Sequence, residues 1–149
     1  MDVKQFRSFE KLFSKLTSRQ LRNEEDILSH NVAVFLRNLV FEGWQLIFFH
    51  VPNEAFTSVN YAKKLNSIGR IPGAPDFIIA SKSKVLFLEL KAQNKKLELS
   101  EPQKAFRDWS NFAGVQYEVA NSLDSVSKLV YKTFGASSGI ANLGILGNA

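Results

Sequence analysis

Residues 69 to 93, GRIPGAPDFIIASKSKVLFLELKAQ, limit the folds open to this chain more than any other segment. The apolar runs DFIIA and VLFLEL have the composition of β-strands, and the polar sequence SKSK between them predicts a hairpin. If SKSK forms the whole loop, Ala80 pairs with Val85, and stepping outward along both strands brings Asp76 opposite Glu89. The pattern therefore predicts two carboxylates that face each other at one end of a hairpin.

Such a pair is unfavourable without another charge nearby. Directly opposed residues in a sheet have Cβ atoms about 5 Å apart, so two carboxylates there repel unless a cation or a proton lies between them. Strand alternation also places Lys91 on the face of Glu89, while the other face is apolar and carries Leu86, Leu88 and Leu90. We expect two acids and an amine at one edge of the sheet.

This group of side chains suits metal-assisted hydrolysis of a phosphodiester. Asp76 and Glu89 can bind Mg²⁺, which usually keeps several waters and needs only one or two protein carboxylates, and the Leu90 carbonyl can add a ligand. The ion polarises the phosphate and acidifies a water that Lys91 can orient. The residues alone leave a simpler interpretation open, in which Asp76 only begins a strand and Glu89 and Lys91 form its solvated end.

A later helix can contribute to the same site. The sequence SEPQ predicts a capping box between Ser100 and Gln103 at the start of this helix. Gln103 lies three residues before Phe106, so we expect it to project toward the inward face that also carries Trp109. Gln103 can then reach the carboxylates, although it can also serve only as a cap.

An earlier helix carries a further candidate. Asn23 is its predicted N-cap, and the acidic run EED fills its first turn. Glu25 shares a face with an apolar stripe made of Leu28, Val32, Phe35 and Leu39. Glu25 is thus predicted to place a carboxylate at the end of a buried stripe, whereas Glu24 lies off it. The acids can instead serve only to stabilise the helix dipole.

The remaining segments complete the order α-α-β-(α)-β-β-α-β-α, which indicates the α/β class with a mixed sheet of about four strands flanked by helices. The predicted helices cover residues 2–16, 24–41, part of 58–69, 101–113 and 123–134, and the predicted strands cover 44–52, 76–80, 85–90 and 115–120. Gly114 is the predicted C-cap of the fourth helix. We expect one domain over residues 1–134, with helix 2–16 as an extension or dimer element, and a flexible tail over 135–149.

Charge and composition restrict the partners. The chain has 149 residues, no cysteine and a formal charge of +5, so disulfides, thiolate zinc sites and thiol nucleophiles are excluded. Ten basic residues against four acidic ones lie between Tyr61 and Arg107, which favours a polyanionic partner. No apolar run reaches the roughly 18 residues of a membrane span. Charged residues are scattered through the N-terminal segment, where a signal peptide would need an uninterrupted apolar centre. We expect a cytoplasmic protein with no membrane partner and no small-molecule cofactor.

Three motifs taken together, GAPDFIIA, FLELKAQ and LSEPQKAF, resemble the PD-(D/E)xK nuclease superfamily and, within it, the VRR-NUC family. The resemblance continues upstream through FHVPNE and downstream through the last predicted helix, and it covers roughly residues 23–134. It implies a restriction-endonuclease-like core. Asn53 and Glu54 are further candidate neighbours of its active site, while we interpret His30 and His50 as ordinary core or surface residues.

The resemblance also implies roles for individual residues. Asp76 and Glu89 would bind the divalent metal, with Mg²⁺ expected and Mn²⁺ able to substitute for it. Lys91 would assist the attacking water, and Gln103 would support the site. The glutamate that the family carries on an early helix corresponds to Glu25. The family's usual basic residue after NE is absent, so the candidates for DNA binding are Lys63, Lys64, Arg70, Lys95, Lys96 and Lys104.

The function implied is that of a metal-dependent DNA endonuclease that is selective for branched DNA such as a Holliday junction. A single domain presents one site, so symmetric cleavage of two strands requires a homodimer. The expected settings are DNA repair and recombination, or restriction by a phage or mobile element, in a bacterial or phage-infected cell. The alternative is a non-catalytic nucleic-acid-binding module with the same fold.

Overall fold

The structure, a computed structural model, describes residues 3–13, 23–52, 58–93 and 95–135. Its elements follow one another in the predicted order. They are α1 (Val3–Phe13), α2 (Glu24–Phe41), β1 (Ile47–His50), α3 (Val59–Ser67), β2 (Phe77–Ala80), β3 (Val85–Leu90), α4 (Glu101–Phe112), β4 (Gln116–Ala120) and α5 (Leu123–Phe134). None of these helices combines the length and the apolar character that crossing a membrane requires.

The strands form one mixed sheet in the order β1-β2-β3-β4. β2 is antiparallel to both of its neighbours, and β3 is parallel to β4, which the chain reaches through α4. Ala80 pairs with Val85 and Phe77 with Leu88, so the predicted hairpin register is confirmed. One further step outward places Asp76 opposite Glu89.

Helices α2 and α5 pack together on one face of the sheet. The core between them and the strands includes Ile79, Leu86, Leu88, Val126, Val130 and Phe134. Helix α2 begins at the predicted cap, where Asn23 Oδ1 accepts a hydrogen bond from the Asp26 N–H at 2.7 Å. Its buried stripe contains Leu36, which the predicted stripe missed, while Phe35 is only partly buried.

Helix α4 packs on the opposite face, over β3 and β4. The Phe106 ring lies 5.6 Å from the Phe87 ring and 6.3 Å from the Tyr117 ring. The prediction that Trp109 faces inward is wrong, because the residue is 53% exposed although its ring makes a T-shaped contact with Phe106. A single helix such as α4 is narrower than a four-stranded sheet. A residue on the flank of α4, such as Trp109, therefore remains exposed even though it lies beside the inward-facing Phe106.

Some predicted boundaries also differ. β1 begins at Ile47 rather than at residue 44, because the Trp44 N–H donates back to the Leu39 carbonyl at 2.9 Å and the Trp44 side chain is buried in the core. The C-cap of α4 is Ala113, one residue before Gly114. Gly135, predicted as the first residue of the tail, is the C-cap of α5. Residues 2 and 14–16 of the predicted first helix and 136–149 of the predicted tail lie outside the described residues.

A turn before β2 rests directly on the first turn of α4. Gly73 in this turn has φ +80°, in the left-handed region that favours glycine. A Cβ added at Gly73 would overlap the backbone of Pro102 and Gln103, whereas a Cβ at Gly43, which also has positive φ, would meet no atom of the described residues. The close approach at Gly73 therefore fixes α4 relative to Asp76, which immediately precedes β2.

We predict that Gly73→Ala destabilises the protein much more than Gly43→Ala. The control adds only left-handed strain, about 1 kcal/mol, and the Gly73 variant adds a backbone collision that we expect to at least double this cost. Urea unfolding of both variants measures the difference. Equal losses of unfolding free energy would show that the close approach does not constrain α4.

Candidate functional site

All the residues predicted to be catalytic surround one cavity of about 270 Å³ at the end of β3. Its wall is completed by the turn before β2 and by the first turn of α4. The predicted residues that line the cavity are Glu25, Asp76, Glu89, Leu90, Lys91 and Gln103. Side chains from α2, the β2–β3 hairpin and α4 thus meet at a single place.

Asp76 is held by backbone groups at the end of β3 and just after β1. Its Oδ2 atom accepts a hydrogen bond from the Leu90 N–H at 2.7 Å, and its carbonyl accepts one from the Val51 N–H at 2.8 Å. Burial raises the pKa of the Asp76 carboxyl, and the Leu90 hydrogen bond opposes that rise. The strands therefore fix the position of the carboxylate, and burial makes its charge costly.

Glu89 is the most constrained acid of the site. It is 3% exposed, and its Oε1 atom accepts hydrogen bonds from Lys91 Nζ at 3.0 Å and from Gln103 Nε2. Its Oε2 atom is buried and has no hydrogen-bond partner among the described residues. Burial, followed by the charge of Asp76, raises the pKa of Glu89 to about 7. A buried carboxylate oxygen without a partner is costly, so this position favours a ligand.

Gln103 links the start of α4 to the lysine and the acid. Its Oε1 atom accepts hydrogen bonds from the Ser100 N–H and from Lys91 Nζ, both at 2.9 Å. The same side chain thus forms part of the capping box and positions Lys91, so the two roles predicted as alternatives occur together in the geometry. The Lys91 side chain is only 15% exposed, which limits the directions in which its ammonium group can point.

Glu25 joins the first turn of α2 to the end of β3. Its Oε1 atom accepts a hydrogen bond from the Ala92 N–H at 3.3 Å. Glu24, the other acid considered for this role, is exposed and lines a different cavity. Of the two, only Glu25 lines the cavity that Asp76 and Glu89 share.

The donor set fits a hard divalent cation with few protein ligands. The described residues hold no group of three or more His, Asp or Glu side chains arranged to hold a metal ion. The fit therefore depends on two carboxylates, to which the Leu90 carbonyl would add a backbone ligand. Glu89 Oε2 is buried without a partner in the parts of the chain described, and oxygen is the donor that Mg²⁺ prefers. Asp76 and Glu89 would hold such an ion.

The basic residues predicted to bind DNA lie outside this cavity. Lys63, Lys64, Lys95 and Lys96 are exposed. Arg70 Nε donates to Asn66 Oδ1 at 3.0 Å, and Lys104 Nζ lies 2.6 Å from Glu101 Oε1. Within the described parts of the chain, none of these six side chains joins the hydrogen bonds among Glu89, Lys91 and Gln103.

Sequence reasoning missed two contributors to the site. Gly73 lines the cavity, and its lack of a side chain lets the turn lie against the backbone of α4. The only sign of this in the sequence was a glycine in the turn-rich segment IPGAPD. His50 lies at the end of β1 with its ring 5.1 Å from the ring of Phe77, the residue that follows Asp76. The pairing of His50 with Phe77 appears only once β1 is placed beside β2. Asn53 and Glu54, the other predicted neighbours, lie outside the described residues.

No protein-family model matches the sequence, and no curated protein matches it. Among solved structures, one described as a "VRR_NUC domain protein" is similar to this chain with a TM-score of 0.60. The two sequences are 19% identical, and the match covers 77% of this chain and 91% of the other. At this identity the likeness shows a common fold. The predicted α/β architecture, a mixed four-stranded sheet flanked by helices, is confirmed.

The raised pKa of Glu89 predicts a pH dependence for the metal-free protein. Its pKa is higher in the folded state than the ordinary value of 4.5, so its contribution to stability is present below pH 4.5 and is lost as the pH rises to about 7. We expect the unfolding free energy to fall over this range by at most about 3 kcal/mol. Urea unfolding in a metal chelator at several pH values measures it, and excess Mg²⁺ should reduce the fall.

Glu89→Gln is the control, because the substituted residue cannot ionise. Its stability should change less over the same pH range. Identical pH dependence of the two proteins would contradict the assignment of a strained, buried carboxylate to Glu89.

Proposed function

We propose that this protein is a metal-dependent DNA endonuclease that hydrolyses phosphodiester bonds at the site of Asp76 and Glu89. The observation that carries the proposal is the buried Glu89 Oε2 atom, which has no partner in the described chain and lies on the residue paired across from Asp76. Two acids in this arrangement are stable when a cation lies between them. The fold shared with a VRR_NUC domain protein gives independent support.

Mg²⁺ is the proposed cofactor, with Mn²⁺ able to replace it. When bound, the ion would polarise the phosphate and lower the pKa of a water molecule. Asp76 and Glu89 would hold it, and the Leu90 N–H would keep Asp76 in position through its bond to Oδ2. Binding would also favour the ionised form of Glu89, whose pKa burial raises to about 7.

Lys91 is the proposed partner of the attacking water. An ammonium group has three N–H donors, and Lys91 directs two of its hydrogen bonds to Glu89 Oε1 and Gln103 Oε1. Its remaining donor can orient the water or stabilise charge on the phosphate. Gln103 acts as a positioning residue, because it holds both Lys91 and Glu89.

DNA is the proposed substrate, and branched DNA such as a four-way junction is the form we favour. The charge of +5 and the exposure of Lys63, Lys64, Lys95 and Lys96 support a polyanionic ligand. A homodimer would supply the two sites that symmetric cleavage of a junction needs. The basic residues, Lys63, Lys64, Arg70, Lys95, Lys96 and Lys104, would contact the DNA backbone.

We expect Asp76→Ala and Lys91→Ala to lower cleavage at least about 100-fold, because one removes a metal ligand and the other a donor to the water. The matched controls are Asp124→Ala and Lys128→Ala, which break an exposed ion pair of 2.7 Å on α5 and should leave cleavage unchanged. The assay uses labelled four-way junction, flap, single-stranded and duplex DNA with Mg²⁺ or Mn²⁺.

Cleavage that survives both site substitutions would rule out this site. If no DNA is cut by the wild-type protein while DNA still binds with a steep dependence on salt, the protein is a binding module and not an enzyme.

A further inference from the structure

A second cavity, of about 500 Å³, lies farther along α4, next to β4. Its walls come from α4, β4 and the segment 97–99, and they include Leu97, Leu99, Lys104, Arg107, Tyr117 and Glu118. Adjacent residues separate it from the proposed active site. Ser100 and Gln103 line the proposed active site, whereas their sequence neighbours Leu99 and Lys104 line the second cavity.

Tyr117 is one of the residues that line this cavity, and its hydroxyl is unusual. Tyr117 is 8% exposed, and its hydroxyl is buried without a hydrogen-bond partner in the residues that the structure describes. Its ring packs against Phe106 of α4, so the side chain lies on the same side of the sheet as Glu89. A buried hydroxyl without a partner is costly, so this group favours a ligand that can hydrogen-bond to it.

Tyr117 and Glu89 lie close together in the sheet. Tyr117 of β4 pairs with Phe87 of β3, and Glu89 lies two residues beyond Phe87 on β3. Tyr117 and Glu89 are therefore on adjacent strands, two positions out of register. Strand geometry makes their Cα atoms about 8 Å apart. A ligand in the second cavity would therefore be a close neighbour of a phosphate at the metal site.

The charges of the cavity indicate the class of ligand. Lys104 and Arg107 are cationic. Burial, followed by the charges of Glu89 and Asp76, raises the pKa of the Tyr117 hydroxyl, and the charge of Arg107 opposes that rise. Glu98 and Glu118 also line the cavity. A simple anion would meet these carboxylates, whereas a nucleotide has a phosphate for the cations and base N–H groups for the acids. The apolar side chains of Leu97 and Leu99 can contact the base.

These polar groups already have other contacts that a ligand would join or replace. Lys104 Nζ lies 2.6 Å from Glu101 Oε1, and the Arg107 guanidinium lies 2.8 Å from Asp108 Oδ1. Glu118 Oε1 accepts a hydrogen bond from Gln116 Nε2 at 3.1 Å. The Lys104 and Arg107 side chains are 48% and 41% exposed, so both cations remain accessible from outside.

We propose that this second cavity binds one unpaired nucleotide of the DNA strand that is cut at the neighbouring site. The proposal rests on the nuclease function above and explains how the site could select branched DNA. A base stacked in a duplex cannot enter a cavity between a helix and a strand unless it leaves the stack, which costs least where the DNA is already unpaired. Arg107 and Lys104 bind the phosphate, and the Tyr117 hydroxyl bonds to the base or sugar.

Binding of short fluorescein-labelled oligothymidine and of a duplex of equal length, measured by fluorescence anisotropy in a metal chelator, tests the proposal. We expect Arg107→Gln to weaken oligothymidine binding roughly tenfold and Tyr117→Phe several-fold, because each removes a hydrogen bond to the nucleotide. Duplex binding should change less than about twofold. Arg37→Gln and Tyr131→Phe, both on the helices of the opposite face, are the matched controls.

Thermal unfolding of the free protein supplies a second readout. Tyr117→Phe removes a hydroxyl that has no partner within the described residues, so the variant should unfold at the same temperature as the wild type or a higher one. A lower unfolding temperature would reveal an internal partner for the hydroxyl and overturn the proposal. The proposal would also be overturned if both variants bound oligothymidine as tightly as the wild type does. It would be overturned as well if the variants lost as much affinity for duplex as for oligothymidine.

Competition by thymidine 5′-monophosphate distinguishes a cavity that binds a DNA strand from one that binds a free nucleotide. We expect it to compete much more weakly than unlabelled oligothymidine, because the strand also contacts basic residues beyond the cavity. Competition as strong as that of the oligomer would make the cavity a site for free nucleotides and contradict the proposal. These measurements need neither metal nor cleavage, so a failure of the nuclease assay leaves their outcome interpretable.

Discussion

The opposition of Asp76 and Glu89 across the β2–β3 hairpin is the constraint around which the site is built. The register of the hairpin sets it, since Phe77 pairs with Leu88 and the next residues outward are the two acids. A slip of one residue would turn Glu89 toward the core face, where Leu86 and Leu88 are fully buried. The same hydrophobic pattern that stabilises the sheet therefore holds two carboxylates together against their repulsion.

Three other elements fix the surroundings of this pair. Gln103 binds Glu89, Lys91 and the cap of α4, so the position of the helix and that of the lysine depend on one side chain. Glu25 ties α2 to the strand end through the Ala92 N–H. Gly73 lets the turn before β2 lie directly on α4. The site is thus held by secondary structure on three sides, which reduces the reorganisation that ligand binding requires.

Much of this arrangement could be predicted from the sequence because local rules determine it. A four-residue loop between two apolar runs fixed the hairpin register, and the spacing of Ser100 and Gln103 indicated a cap that faces the site. The start of β1 could not be predicted, since tertiary burial of Trp44 removes that residue from a strand for which it has high propensity. The exposure of Trp109 depends on how much of the sheet α4 covers. The spacing of apolar residues along α4 carries no information about that extent. The cavity beside Tyr117 was missed for a related reason: it forms only when β4 and α4 pack together.

The most direct test of the central claim is the position of a Mn²⁺ ion in crystals of the protein, located by anomalous diffraction near neutral pH or above. A binding site created by opposed acids predicts an anomalous peak between Asp76 and Glu89, within bonding distance of Glu89 Oε2. The absence of a peak there in crystals with excess Mn²⁺, with Glu89 Oε2 bonded to protein or to water instead, would contradict the claim that the pair exists to hold a cation.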